Sequence, residues 1–188
     1  MHAHMSTAPH RRPGPSRVLL INPPLWNPYA PHLAVPLLLG VLRRHGVAAS
    51  ALDLSAETMR YLLSRDGAGA YAAERDEVLG ARARDQFEAA RSSVDRAAAF
   101  LRSPESITDV DGHRAATAVC QAVLDGIAAL TPGAELSFDR FDLRHRPVSS
   151  RQVMRAVTDA AHNPYVRVFE HVLVPRLRAL PDLEVVGL

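Results

Sequence analysis

The apolar residues near the start of the chain follow the pattern of a strand, a helix and a second strand. Residues 17–22 form a continuous apolar run between proline-rich segments, which is typical of a parallel strand buried on both faces. A helix should follow, with Pro36 in its first turn and Gly46 ending it in the left-handed conformation. Its predicted buried face consists of Val35, Leu38, Leu39 and Leu42. Residues 47–54 predict a second strand, so this region has the pattern of a βαβ unit with parallel strands.

The middle of the chain carries longer helical patterns. Ser55 is the predicted N-cap of a helix that Gly67 and Gly69 end. From residue 71 to 102, larger apolar residues alternate with alanines at helical spacing, at Leu79, Ala83, Phe87, Ala90, Val94, Ala97 and Leu101. Residues 114–130 predict a further helix with one apolar face, comprising Val119, Val123, Ile127 and Leu130. We expect these two helices to form an antiparallel pair inserted into the α/β pattern.

The last part of the chain returns to shorter elements. Residues 135–147 have weak strand character, and Ser149 with Gln152 predicts a capping box at the start of a short helix that runs to about residue 161. Asn163 and Pro164 should begin another helix, which Pro175 kinks. Its predicted buried residues are Val166, Phe169, Leu173, Leu177 and Leu180. Residues 183–188 form a third apolar strand pattern.

These patterns together predict an α/β fold. We expect a Rossmann-like parallel sheet, incomplete with about three strands, that carries an inserted helical pair. The predicted organisation is a disordered tail over residues 1–16, a βαβ half over 17–66, the helical insertion over 67–147 and a last part over 148–188. Because the sequence stops on a strand, before the loop that should face a ligand, we expect it to be the front part of a longer enzyme.

Composition excludes several classes of protein. The chain has 188 residues and a net charge of only +2, which argues against a strongly basic nucleic-acid-binding protein. No apolar run is long enough for a membrane helix, and the first residues lack a signal peptide, so a cytoplasmic protein is expected. All basic residues other than histidine are arginines, so no lysine is present for a Schiff base or a Walker-type loop. A single cysteine, Cys120, rules out an internal disulfide and a self-contained iron–sulfur cluster.

The loop after the first strand is the best candidate for binding. Ligands of open α/β sheets lie beyond the carboxyl ends of the strands, where this loop begins. Residues 23–33 are rich in proline and include Trp26 and Tyr29, so the loop is stiff and suits a large flat ligand better than a phosphate. The alternative is an arm that packs on the chain's own helices or on a partner. Asp53, at the end of the second strand, is placed either to contact a ligand hydroxyl or to cap the next helix.

Several segments together resemble a known family. These are Val-Leu-Leu-Ile-Asn-Pro-Pro at 18–24, Ala-Pro-His-Leu-Ala-Val-Pro-Leu-Leu-Leu-Gly-Val-Leu-Arg-Arg-His-Gly at 30–46 and Ala-Leu-Asp-Leu at 51–54. In order and spacing they resemble the N-terminal cobalamin-binding domain of cobalamin-dependent radical S-adenosylmethionine enzymes. Asn-Pro-Tyr at 163–165 and Asp-Leu-Glu-Val-Val-Gly-Leu at 182–188 resemble the approach to a later strand of that domain.

The resemblance implies that cobalamin lies at the carboxyl edge of the sheet. The implied binding residues are Asn22, Pro23, Pro24, Leu25, Trp26, Leu33, Asp53, Gly187 and Leu188. Full-length relatives also use S-adenosylmethionine and a 4Fe–4S cluster held by three cysteines, and many of them are methyltransferases. One cysteine cannot hold that cluster, so the expected function is a cobalamin-binding module that cannot perform the radical step alone. A separate radical-domain or carrier protein is a possible partner, and neither a nucleic acid nor a membrane is expected.

Two other functions stay open at this point. A non-catalytic interaction module could dock a protein through the proline-aromatic loop and the helical pair. A nucleotide-sugar or dinucleotide binder is disfavoured, because no Gly-x-Gly-x-x-Gly follows the first strand. Residues 111–116 are similar to the Asp-x-His-x-x-Gly motif of some cobalamin proteins, but Asp111 is better interpreted as an N-cap. We interpret His32 as a solvated or hydrogen-bonded loop residue, and predict no catalytic residue and no metal ligand.

Overall fold

A computed structural model describes residues 17–24, 33–75, 78–138, 140–143 and 149–187. The strands are β1 (Val18–Asn22), β2 (Ala49–Asp53), β3 (Ala134–Leu136), β4 (Phe141–Leu143) and β5 (Val185–Gly187). The helices are α1 (Ala34–Arg44), α2 (Leu54–Leu62), α3 (Arg65–Arg75), α4 (Ala81–Leu101), α5 (Glu105–Thr108), α6 (Val110–Leu130), α7 (Ser150–Thr158), α8 (Tyr165–Val168) and α9 (Val174–Arg178), with a π-helical turn (Phe169–Leu173) between the last two.

The central sheet has three parallel strands in the order β2–β1–β5. Asn22 lies opposite Asp53 across β1 and β2, and Leu20 lies opposite Gly187 across β1 and β5. The weak strand character of residues 135–147 corresponds to β3 and β4, which form an antiparallel hairpin outside this sheet. The predicted α/β class with a three-stranded parallel sheet is therefore confirmed.

The main core extends from the sheet through α2 and α3 to the helical pair of α4 and α6. Leu19 and Ile21 of β1 belong to the same buried cluster as Phe87 and Val94 of α4 and Ile127 of α6. The predicted insertion thus shares one continuous core with the βαβ region. Residues 1–16 lie outside the described residues, and the proposed division at 66 and 147 stays a prediction. In the part of the chain that the structure describes, no helix combines the length and apolarity needed to span a bilayer.

Helices α4 and α6 form the predicted pair, and they run antiparallel. The ring of Phe87 lies against Gly126, and the ring of Phe100 lies against Gly112 at the other end. A β-carbon at Gly126 would lie 2.0 Å from the Phe87 ring, so glycine lets the two helices approach closely. The predicted packing of Phe87, Ala90, Val94 and Ala97 is confirmed, whereas Ala83 is exposed.

Two helix boundaries in this region were predicted wrongly. Gly67 and Gly69 do not end a helix but lie inside α3, which begins after a short break that follows Leu62. The pattern from residue 71 to 102 also does not form one helix, since α3 ends at Arg75 and α4 begins at Ala81. Glycine lowers helix propensity by only about 1 kcal/mol, which tertiary packing can offset, as for the buried Gly67.

Ser55 and Asp111 are not the N-caps of α2 and α6, and Asp53 instead has the capping role that the sequence left open for it. Asp53, not Ser55, caps α2, with its carboxylate accepting the Ala56 N–H at 3.1 Å. Asp109, not Asp111, caps α6 and accepts the Gly112 N–H at 2.8 Å. In both cases the predicted residue already has helical conformation, so its side chain cannot reach the free N–H groups of the first turn.

Helix α1 buries a narrower face than its sequence predicts. Val35 is buried and Leu39 and Leu42 are half-buried, but Leu38 is 52% exposed. The helix contacts β1 and β2, and among the described residues no element covers the side on which Leu38 lies. Gly46 has a φ of +75°, which confirms the left-handed conformation predicted after this helix.

The last helices follow the predicted signals with one shift of the buried face. Ser149 is the N-cap of α7 as predicted, with its hydroxyl accepting the Gln152 N–H, although α7 already ends at Thr158. Asn163 accepts the Tyr165 N–H at 3.0 Å at the start of the next helix. Val168 is fully buried there. All five residues that were predicted to be buried are only half-buried: Val166, Phe169, Leu173, Leu177 and Leu180.

The predicted kink at Pro175 takes the form of a π-helical turn. The turn covers Phe169–Leu173, directly before α9, in which Pro175 is the second residue. Proline has no N–H for the carbonyl four residues earlier, and its ring crowds that carbonyl. A wider turn in the preceding residues accommodates this loss.

Candidate functional site

The carboxyl edge of the sheet is formed by the last residues of β1 and β2. Asn22 and Asp53 lie opposite each other, and the Asn22 amide donates from Nδ2 to Oδ1 of Asp53 at 3.1 Å. The same carboxylate oxygen accepts the Ala56 N–H and so caps α2. Asp53 therefore has the capping role that the sequence left open, and its contact with a ligand hydroxyl stays a prediction.

The orientation of the Asn22 amide follows from this contact. An ionised carboxylate only accepts hydrogen bonds, so the amide must turn its N–H group towards Asp53 and its carbonyl away. The Asn22 Oδ1 atom is buried and has no hydrogen-bond partner among the described residues. A buried acceptor without a donor costs about 1–3 kcal/mol, so this atom requires a donor from elsewhere.

The other predicted binding residues differ in how close they lie to this edge. Pro23 and Pro24 continue directly from β1 and are half-buried. Leu33 lies just before α1 and is 65% exposed. Gly187 lies opposite Leu20, two residues before the end of β1, and a β-carbon there would be 3.0 Å from the Leu20 side chain. The predicted binding residues Leu25, Trp26 and Leu188 lie outside the described residues, as does His32.

The chemistry of the edge favours a ligand that donates hydrogen bonds. Asp53 and the carbonyl of Asn22 are both acceptors, and Pro23 and Pro24 have no N–H to offer. The N-terminus of α2 also lies at this edge and would attract an anion, but the carboxylate of Asp53 already caps it, which disfavours a phosphate there. This surface suits amide or hydroxyl groups. Sequence reasoning named both Asn22 and Asp53 but missed their hydrogen bond, although the signal was present in their positions at the ends of two consecutive parallel strands.

The other candidate groups lie away from this edge. Asp111 and His113 are exposed at the start of α6, in the helical pair. Cys120 is fully buried in the same helix, and burial raises the pKa of its thiol, so it is a poor nucleophile and a poor metal ligand. Over the ranges that the structure describes, no cluster of three or more His, Cys, Asp or Glu side chains could hold a metal ion.

Comparisons with models of protein families, with curated proteins and with solved structures found no match. The structure itself shows a Rossmann-like α/β fold with a three-stranded parallel sheet and a packed helical pair. The candidate site at the edge of that sheet is the basis for the function proposed below.

Proposed function

We propose that the chain is a cobalamin-binding module that holds its ligand at the carboxyl edge of the sheet. One observation carries the proposal: the buried Oδ1 atom of Asn22 has no described partner at the place where open α/β sheets bind ligands. The resemblance of residues 18–24, 30–46 and 51–54 to cobalamin-binding domains supplies the identity of the ligand.

The donor groups of cobalamin match the acceptors of this edge. Carboxamide side chains surround the corrin ring, and their N–H groups are the donors that Asn22 Oδ1 lacks. Asp53 holds the Asn22 amide in the orientation that leaves this oxygen free to accept. Pro23 and Pro24 contribute stiff apolar surface beside it. When bound, the cobalt of cobalamin carries the methyl group in transfer reactions.

The chain's own residues limit its part in such a reaction. Its one cysteine is buried in α6, so it does not hold a 4Fe–4S cluster, and no catalytic side chain is assigned. In this proposal the cluster and S-adenosylmethionine are held outside the present residues, either by a radical domain of a longer enzyme or by a separate radical-domain or carrier protein. The present chain binds and orients cobalamin for that reaction.

Gel filtration with hydroxocobalamin tests the proposal. The wild-type chain should elute with the visible corrin bands, and Asn22→Leu should weaken binding by about tenfold or more, because it removes the buried acceptor and one partner of Asp53. Asp85→Asn, an exposed change in α4, is the matched control and should bind as the wild type does. Elution of the folded wild type without corrin, with folding checked by circular dichroism, would refute cobalamin binding.

A second function, protein interaction without catalysis, has its own supporting observation. Leu37, Leu38 and Val41 on α1 are 67%, 52% and 54% exposed, which is unusual for neighbouring large apolar residues on one helix. If a stoichiometric partner is captured by the wild type but not by Leu38→Glu, while neither chain binds cobalamin, the interaction function replaces the first proposal.

A further inference from the structure

A cavity lies between the sheet and the last helix, away from the candidate site. Its volume is about 220 Å³, and it is lined by residues that include Leu19, Ser50, Leu52, Arg176, Ala179 and Leu180. Leu19 and Ser50 are paired three residues before Asn22 and Asp53. At about 3.3 Å per residue, the cavity is therefore about 10 Å from the carboxyl edge along the strands.

The sequence explains why this space is open. Ser50 is the residue of β2 that faces Leu19, and Ala179 is the residue that follows α9. Both side chains are small where a packed core would carry larger apolar ones. The space is about that of seven water molecules at 30 Å³ each, so it fits a small organic molecule and is too small for a cofactor.

The polar groups of the cavity point to a ligand. The Ser50 Oγ atom is buried and has no hydrogen-bond partner among the described residues. Arg176 is exposed on α9, and its guanidinium forms no ion pair with any residue in the described ranges. Two residues with hydrogen-bonding side chains, Ser50 and Arg176, thus line a cavity whose other lining residues are apolar.

A second cavity is also lined by an arginine, but its described lining does not contain a buried polar atom like the Ser50 hydroxyl. About 260 Å³ lies between α4 and α6, where Arg96 and Phe100 are among the lining residues. Of the side chains that line it, none has a buried polar atom without a partner in the described part of the chain. That space therefore lacks the polar group that distinguishes the cavity beside Ser50.

We propose that the cavity between β2 and α9 binds a small carboxylate with an aliphatic tail. The tail lies against Leu19, Leu52 and Leu180, the Ser50 hydroxyl donates to one carboxylate oxygen, and Arg176 pairs with the carboxylate at the opening. This site is separate from the carboxyl edge, so it does not depend on cobalamin binding.

Titration of the full chain with hexanoate, followed by ¹H–¹⁵N NMR, tests this site. We expect saturable shifts of the amide signals of Ser50, Leu52, Ala179 and Leu180. Hexan-1-ol, which has the same tail without the charge, should bind about tenfold more weakly or not at all. An absence of saturable shifts at these residues, or equal binding of the alcohol, would overturn the proposal.

Two variants separate the roles of the charge and the hydroxyl. Arg176→Gln should weaken hexanoate binding by about tenfold, while Arg178→Gln, an exposed neighbour on the same helix, should leave it unchanged. Ser50→Val should weaken hexanoate binding, because it removes the hydroxyl and narrows the cavity. It should also raise Tm, because methyl groups replace a buried hydroxyl that has no partner among the described residues. Equal affinity of Arg176→Gln and Arg178→Gln contradicts the site even if Ser50→Val does not fold.

Discussion

The helical pair and the parallel sheet are packed in different ways. At the interface of α4 and α6, Phe87, Val94, Val123 and Ile127 are at most 2% exposed. On the sheet, Val185 and Val186 of β5 are about half exposed. The buried Asn22 Oδ1 atom of β1 and the buried Ser50 Oγ atom of β2 have no hydrogen-bond partner among the described residues. Complete apolar burial stabilises a fold, whereas unpartnered polar atoms beside exposed apolar surface are typical of recognition. This difference is the reason why we expect the helical pair to determine stability and propose the sheet as the place of binding.

The largest effect is expected where the helical pair is packed most tightly. Phe87→Ala should lower the free energy of unfolding by about 3–5 kcal/mol, because it leaves a cavity against Gly126. Ala99→Ser, at an exposed position of the same helix, should change it by less than about 0.5 kcal/mol. Urea denaturation followed by circular dichroism measures both. If Phe87→Ala lowers the free energy of unfolding as little as Ala99→Ser does, the interface of α4 and α6 is not the main source of stability.

A smaller effect is expected at the contact that links the helical region to the sheet. The buried Tyr71 hydroxyl of α3 donates to the Pro164 carbonyl at 2.7 Å, at the start of the helices that lead into β5. Tyr71→Phe should cost about 1–2 kcal/mol of unfolding free energy, because the carbonyl loses its donor. Tyr61→Phe is the control, since no hydrogen bond of the Tyr61 hydroxyl to another described residue is observed.

The same tyrosine makes stability depend on pH in alkali. Burial raises the pKa of Tyr71 above its ordinary value of 10.0, so the folded state favours the neutral phenol. Its contribution is complete below pH 10.0 and is lost as the pH rises through the raised value. The difference in the free energy of unfolding between the wild type and Tyr71→Phe should therefore narrow as the pH rises above 10.0. A constant difference would contradict the buried position.

The smallest effect is expected outside both regions, in the turn between α7 and α8. The hydrogen bond from His162 lowers the pKa of the Asp159 carboxyl below 3.8. The stability that this hydrogen bond contributes is present above pH 3.8 and is lost as the pH falls through the lowered pKa of Asp159. Because both side chains are largely exposed, Asp159→Asn should reduce stability at neutral pH by less than about 0.5 kcal/mol. Thermal unfolding of both chains from neutral to acid pH should show the two Tm values converging in acid.

The sequence predicted the sheet well because its strands are short apolar runs. The turn at Gly46 and the N-cap at Ser149 needed only neighbouring residues to be identified, whereas Ser55 and Asp111 were wrongly chosen as N-caps. The break between α3 and α4, the exposure of Leu38 and the burial of Val168 depend on which elements pack together. Those contacts are not encoded in helical periodicity, so periodicity alone misplaced them.

The sequence predicted which residues lie at the candidate site but not how they contact each other. Asn22 and Asp53 follow from the rule that ligands bind beyond the carboxyl ends of parallel strands. Their hydrogen bond, and the unpartnered oxygen that it leaves, depend on strand order and register. The cavity at Ser50 could not be found from the sequence, because it exists only where β2 meets the end of the last helix.

The most direct test of the central claim is a ¹H–¹⁵N NMR titration of the full chain with hydroxocobalamin. Binding at the carboxyl edge predicts saturable shifts of Asn22, Asp53 and Ala56, with the Asn22 side-chain amide among the largest. The exposed face of α1 at Leu37 and Val41 should stay unchanged. Saturable shifts confined to that face of α1, or no shifts at all, would contradict the assignment of binding to the edge of the sheet.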